Sequence, residues 1–232
     1  MKMGKSGIWA PPFSFTDGGF LMATIDDATV DRLTLIVNAR VVPLFFQLLG
    51  HGFYLNVQTG CSVKELLCNQ LGIHEDYLEQ RIQSIFLNGK VVDDVKSAIV
   101  PEDATMALSG AMPGLVGAIL RSGGFYAPMR SQISHEIDAQ TSQLKNGKIT
   151  LKLWNLVVRE IGPIFLQQGI WIKGEDVRSF IESQREELKT GCVSVELKDQ
   201  PADVDSLCEV DWKANLVFLQ VKPEQAQAAE TY

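Results

Sequence analysis

The chain has no run of basic residues, no Cys-x-x-Cys pair and no apolar stretch long enough to cross a bilayer. Each absence argues against a class of function. Binding along the nucleic-acid backbone draws on a surplus of Lys and Arg, whereas here 21 Lys and Arg stand against 28 Asp and Glu, a formal charge of -7. No nucleic acid is expected as a partner. Zinc sites announce themselves by close Cys or His pairs. Cys61, Cys68, Cys192 and Cys208 are widely spaced, and His51, His74 and His135 are scattered. No metal is expected, and the thiols read as the reduced cysteines of a cytoplasmic protein. The most apolar run, residues 111–120, is broken by Pro113 and two glycines and reaches about half of the ~20 residues a spanning helix requires. The first residues lack the unbroken apolar core of a secretory signal. Neither G-x-G-x-x-G nor a phosphate-binding G-x-x-x-x-G-K-[ST] loop occurs, so no cofactor is expected.

What is present is a globular composition, 46% hydrophobic over 232 residues, enough for one large domain or two small ones. Residues 1–30 mix Gly, Pro, Ser and Asp with isolated aromatics and follow neither period 2 nor period 3.6. They read as a poorly ordered tail, with Met22 as an alternative translation start. From Arg32 the pattern changes. Leu33, Leu35, Val37 and Ala39 alternate with Thr34, Ile36, Asn38 and Arg40, which predicts a strand buried mainly on one face. A short helix is expected over residues 42–50, opened by Pro43 and closed by Gly50. A second strand over 53–58 is expected to pair with the first as a hairpin with a long connection.

A turn at Gly60 leads to Ser62, with Glu65 three residues on. This is the capping-box spacing, in which hydroxyl and carboxylate each accept the other residue's amide. Val63, Leu66, Leu67 and Leu71 then form one apolar helical stripe, ended by Gly72. After a helical piece at 74–81, strands are expected at 82–87 and 90–92 around Asn88-Gly89, a dipeptide suited to positive φ. A last strand is expected at 105–108. The order is β-β-α-β-β-β.

This order, with the segments Pro43-Leu-Phe-Phe-Gln-Leu-Leu-Gly50, Gly60-Cys-Ser-Val-Lys-Glu-Leu-Leu67, Phe86-Leu-Asn-Gly-Lys-Val-Val92 and Val100-Pro-Glu-Asp-Ala-Thr105, resembles the ubiquitin-like β-grasp fold. Within it the likeness is to the sulfur-carrier branch represented by the small subunit of molybdopterin synthase and the thiamine sulfur carrier. The resemblance covers about a third of the chain. It implies a carrier whose terminal Gly-Gly carboxylate is adenylated and converted to a thiocarboxylate. This chain departs from that pattern, because its Gly123-Gly124 pair is internal and offers no carboxylate without cleavage after Gly124.

Residues 104–134 contain no Asp or Glu, yet hold Arg121 and Arg130 with Gly123, Gly124, Phe125 and Tyr126. Glycine amides and two guanidinium groups can hold an anion or a partner. The alternative is a connector pressed on the body, with Leu115, Val116, Ile119 and Leu120 filling a groove. Beyond Ser142, alternation at Ile149, Leu151 and Leu153 predicts a strand. Trp154, Val157, Val158, Ile161, Phe165 and Leu166 follow at helical spacing, with Gly162-Pro163 expected to kink or restart the helix. A short strand at 170–172, a helix from Gly174, and a closing hairpin of 192–197 with 212–221 complete a second unit.

Cys61 adjoins a helix start, where amides and dipole can lower a thiol pKa, but no base is placed beside it by sequence. Asp93-Asp94 and Glu175-Asp176 are adjacent pairs suited to turns and first helical turns.

The expected fold class is therefore α+β: a tail at 1–30, a β-grasp module at 31–110, a glycine-rich arm at 111–145, an α+β unit at 146–222 and a polar tail at 223–232. The expected function is a non-catalytic module that binds a protein partner or a second copy through its sheet and the 111–130 arm, with Arg121, Gly123, Gly124, Tyr126 and Arg130 as contact residues. Two alternatives stand beside it. One is the cleaved carrier precursor; the other is a ligand site or enzyme between the two halves, lined by Trp154, Trp171 or Tyr126.

Overall fold

A computed structural model describes residues 31–112, 114–120, 124, 143–212 and 216–224. Among the described residues the chain is α+β, with one ten-stranded mixed sheet. In chain order the first half gives β1 (Asp31–Val37), a 3-10 turn (Val42–Phe45), α1 (Phe46–His51), β2 (Phe53–Thr59), a π-helical turn (Glu65–Gln70), α2 (Glu75–Gln80), β3 (Ser84–Leu87), β4 (Lys90–Val91), β5 (Thr105–Ser109) and α3 (Gly114–Leu120). The second half gives β6 (Lys145–Trp154), α4 (Asn155–Gln168), β7 (Ile170–Lys173), α5 (Gly174–Ser183), α6 (Arg185–Gly191), β8 (Cys192–Leu197), β9 (Gln200–Ala202), α7 (Val204–Glu209) and β10 (Leu216–Pro223). No helix among the described residues is long and apolar enough to cross a membrane.

Local rules hold where the sequence makes them explicit. The Ser62 amide donates to Glu65 Oε2 at 2.9 Å and the Glu65 amide to Ser62 Oγ at 3.1 Å, the reciprocal capping box. Val63, Leu66, Leu67 and Leu71 are buried, each contributing about 2 kcal/mol of apolar transfer. The turn they follow is wider than an α-helix: the Leu71 amide reaches Leu66 O at 2.9 Å, an i to i+5 bond. Asn88 and Gly89 take φ of 50° and 80°, the twist a two-residue hairpin demands. α4 is a single helix through Gly162-Pro163, so it does not restart there. Gly162 is buried against Leu49 and Phe46 of α1, so packing supports the helix where proline removes a hydrogen bond.

The sheet order is β4-β3-β5-β6-β2-β7-β10-β1-β8-β9, and it corrects two expected pairings. β1 does not form a hairpin with β2; β7 and β10 lie between them. Nor do β8 and β10 form the closing hairpin. β1 inserts between these two, parallel to β10 and antiparallel to β8. The physical reason is the connections. Residues 38–52, containing α1, join β1 to β2, and a linker of a dozen or more residues can cross to a distant strand instead of turning back.

Outward from the β2–β7 contact the two sides of the sheet match in direction. On one side β2–β6 is antiparallel, β6–β5 parallel, and β5–β3 and β3–β4 antiparallel. On the other, β7–β10 is antiparallel, β10–β1 parallel, and β1–β8 and β8–β9 antiparallel. Each side thus has a parallel pair at its centre and a very short outer strand.

Helices cover one face. Leu33, Leu35 and Val37 of β1, Phe53 and Leu55 of β2, and Ile149, Leu151 and Leu153 of β6 share one core with Leu48 of α1, Phe165 of α4 and Phe180 of α5. Phe53 meets Phe165 at 5.4 Å between ring centroids, and Phe45 meets Phe180 at 4.8 Å, separations typical of tilted aromatic pairs.

Candidate functional site

Because strand side chains alternate, the residues between those core positions form the opposite face. One row crosses six strands in register: Thr105, Thr150, Tyr54, Trp171, Phe218 and Arg32, on β5, β6, β2, β7, β10 and β1. Tyr54 opposite Trp171 joins the two sides of the sheet. The Trp171 and Phe218 rings lie 5.1 Å apart. Lys148 Nζ sits 5.0 Å from the Tyr54 centroid and the Arg32 guanidinium 4.9 Å from that of Phe218. Phe218 is buried, while Tyr54, Thr150 and Trp171 keep part of their surface open.

Charge is segregated on this face. Arg32, Lys148, Lys152, Lys173 and Lys222 share the alternation of the row, against Glu196 alone among strand carboxylates of the same parity. The chain as a whole carries -7. Among the described residues Lys148, Lys152, Lys173 and Lys222 form no ion pair, unlike Lys64, Lys189 and Lys198, which meet Glu75, Asp205 and Asp31 at 2.7 to 2.8 Å. Lys152 lies on β6 two residues beyond Thr150, and Lys173 on β7 two beyond Trp171. Between them, just before β2, stands Gly52, which offers no side chain; the Lys152 Cε lies 3.3 Å from where a Cβ there would stand.

At the β3–β5 corner the same face is closed. Ser84 Oγ donates to Leu120 O of α3 at 2.9 Å and Asn155 Nδ2 to Ser109 Oγ at 2.8 Å, and Ser84, Ser109, Val91 and Ala107 are all buried. Next to that corner the Phe86 and Trp154 rings lie 5.9 Å apart, and Trp154 Nε1 donates to Gly50 O at 3.1 Å. The arm therefore begins against the sheet, although Leu115, expected as one of its groove-filling residues, is 65% exposed.

Of the residues expected to make contacts, Arg121, Gly123, Tyr126 and Arg130 lie outside the described residues, and Gly124 is half-buried. Trp154 and Trp171 lie on the face opposite the helix-packed core, on β6 and β7, each half-buried. Cys61 is buried: its Sγ lies 3.1 Å from Gln58 O and accepts from Gln70 Nε2 at 3.2 Å. Burial pushes its thiol up from the ordinary value, the nearby Glu65 carboxylate adds to this, and the hydrogen bonds offset only part. This thiol is held protonated, as a packing group. Among the described residues no group of three His, Cys, Asp or Glu side chains is placed to hold a metal.

A second polar cluster braces the helices. Tyr77 Oη of α2 donates to Glu160 Oε2 of α4 at 2.7 Å, and the Arg81 guanidinium pairs with the same carboxylate. Partial burial pushes the Glu160 carboxyl up, but the hydrogen bonds from Arg81 and Tyr77 outweigh it and hold the group below its ordinary value. Burial, then the Glu160 bond, pushes the Tyr77 phenol above its ordinary value.

Of the aromatic row only Trp171 was singled out from the sequence; Tyr54, Phe218 and the lysines were missed. The available signal was the outward side of the β6 alternation, where Lys148, Thr150, Lys152 and Trp154 interleave with Ile149, Leu151 and Leu153. Comparison of the chain with protein-family models, with curated proteins and with solved structures finds no match in any of the three.

Proposed function

We propose that this chain is a non-catalytic docking protein that holds a macromolecular partner on the open face of its sheet. The observation that carries this reading is the in-register row from Thr105 through Tyr54 and Trp171 to Arg32, bordered by lysines that form no ion pair among the described residues. Edge pairing is a poor alternative route. β4 has two residues and begins with Lys90, and β9 has three with Pro201 at its centre; short, charged or proline-bearing edges resist strand addition. A partner is left with the face.

In the same reading each side of the sheet is a β-grasp unit, with helix packed across five strands and two parallel strands at the centre. β6 serves as the fifth strand beside β2 to β5, and β1 as the fifth beside β7 to β10. The arm, with Arg121 and Arg130, supplies a second contact region where it leaves α3.

Lysine footprinting tests the face without knowledge of the partner. Acylation of the protein in the cells that make it is compared with acylation of the purified chain. The expected result is protection in cells of Lys148, Lys152, Lys173 and Lys222, with Lys90 and Lys96 labelled equally in both. Equal labelling at all six sites overturns the reading.

A further inference from the structure

Resting on that docking face, we infer the chemistry of the partner: an acidic, extended polypeptide segment that lies across β6, β2, β7 and β10, its carboxylates on Lys148, Lys152 and Lys173 and its apolar side chains on Tyr54 and Trp171. Charge complementarity is the first argument. Three lysines border one aromatic pair, and none of them has a carboxylate partner among the described residues. Elsewhere on the protein acids dominate, with Glu75 and Asp76 opening α2, Glu175 and Asp176 opening α5, and Glu186 and Glu187 opening α6. A positive strip on a negative protein selects a short anionic segment that lands locally, and repels at long range a polymer charged along its whole length.

The rings give the second argument. A sheet that binds single-stranded nucleic acid offers open ring faces on which bases stack. Here Lys148 lies over the Tyr54 ring, and Trp171 packs against Phe218. Both rings are thus engaged within the protein, and the lysine ammonium groups beside them suit carboxylates. Reach fits as well. Four strands span about 15 Å at ~4.8 Å spacing, a width that about five extended residues cover.

The test uses the full chain and a labelled peptide of about ten residues alternating Glu with Leu and Tyr, read by fluorescence anisotropy. A peptide with Gln at every Glu position and an oligothymidylate of similar length run in parallel. Binding of the Glu peptide is expected, weakening steeply with added salt. The Lys148→Glu, Lys152→Glu, Lys173→Glu variant is expected to raise its Kd at least about tenfold, whereas Lys90→Glu, Lys96→Glu leaves it unchanged, with both variants melting as the parent does. Absence of binding, equal binding of the Gln peptide, or insensitivity to the triple reversal overturns the inference. So does tighter binding of the oligothymidylate, which would mark a nucleic-acid face, or loss on reversal of a pre-existing self-association, which would make a second copy the occupant. Because the footprint does not depend on partner chemistry, protection in cells with failure here removes only the acidic segment and leaves the docking face.

Discussion

Tyr54 and Trp171 stand opposite each other as the one registered pair between β2 and β7, so the continuity of the ten-stranded sheet passes through the backbone at these two residues. Trp171 also packs on Phe218. Trp171→Ala is expected to destabilise the protein by about 2–3 kcal/mol, less than full removal of a buried aromatic because the ring is half-exposed. Tyr54→Ala and the double variant, unfolded in urea, should reveal a coupling of about 0.5–1 kcal/mol between the two positions. Strict additivity would show that the joint is held by backbone alone.

Gly169 ends α4 at φ 97°, and a Cβ there would overlap the Phe218 ring. Gly169→Ala therefore meets both a disfavoured backbone and a filled site, with an expected loss of at least about 2 kcal/mol. Adding Phe218→Ala should relieve the overlap but not the backbone strain. Thermal melts of the two single variants and the double separate these contributions.

The Tyr77–Arg81–Glu160 brace gives a pH signature. Glu160 has a folded pKa below its unfolded value, so its stabilisation is present above about pH 5 and fades as pH falls through about 4 and lower. Tyr77 has a folded pKa above its unfolded value, so its share is complete below about pH 10 and fades above it. Glu160→Gln should cost about 1–2 kcal/mol at neutral pH, with the gap to the parent closing in acid. A gap that stays constant down to pH 3 would mean the carboxylate is not the stabilising species.

Thiol reactivity should follow burial. Burial pushes Cys61 and Cys68 up and Cys192 to about 11. At pH 7 a thiol reagent is expected to leave Cys61 unmodified in the native protein and to label it on denaturation. Prompt native labelling of Cys61, read by peptide mass mapping, would return that residue to the list of reactive groups.

A carrier-type cut after Gly124 would place β6 on a different fragment from β2 and β5, the strands on either side of it. A protease site engineered at that point should yield two fragments that co-elute on size exclusion and separate only in denaturant. Spontaneous release of the first fragment as a folded unit would speak for a carrier.

How far the sequence reached depended on the range of each interaction. Ser62 with Glu65, Asn88 with Gly89 and the Leu33-Leu35-Val37 alternation are local, and the structure forms them as read. Alternation fixes which face of β1 is buried but says nothing about which strand lies beside it. That choice was made by β10 and β8, nearly the whole chain away. Tyr77 and Arg81 stand at helical spacing on or just past α2, yet nothing local points to Glu160. The face opposite the core escaped for a related reason: Tyr54, Lys148, Lys152 and Trp171 become neighbours only once three strands are paired.

The position of β1 bears on how the molecule is made. Its neighbours are residues 192–197 and 216–223, so during synthesis β1 must wait for β10, the last of the described strands. At ribosomal speeds of roughly 5–20 residues per second that delay is about 10–40 s, far longer than local helices and hairpins need to form. For that time the apolar side chains of Leu33, Leu35 and Val37, buried in the finished sheet, are without the strands that flank them.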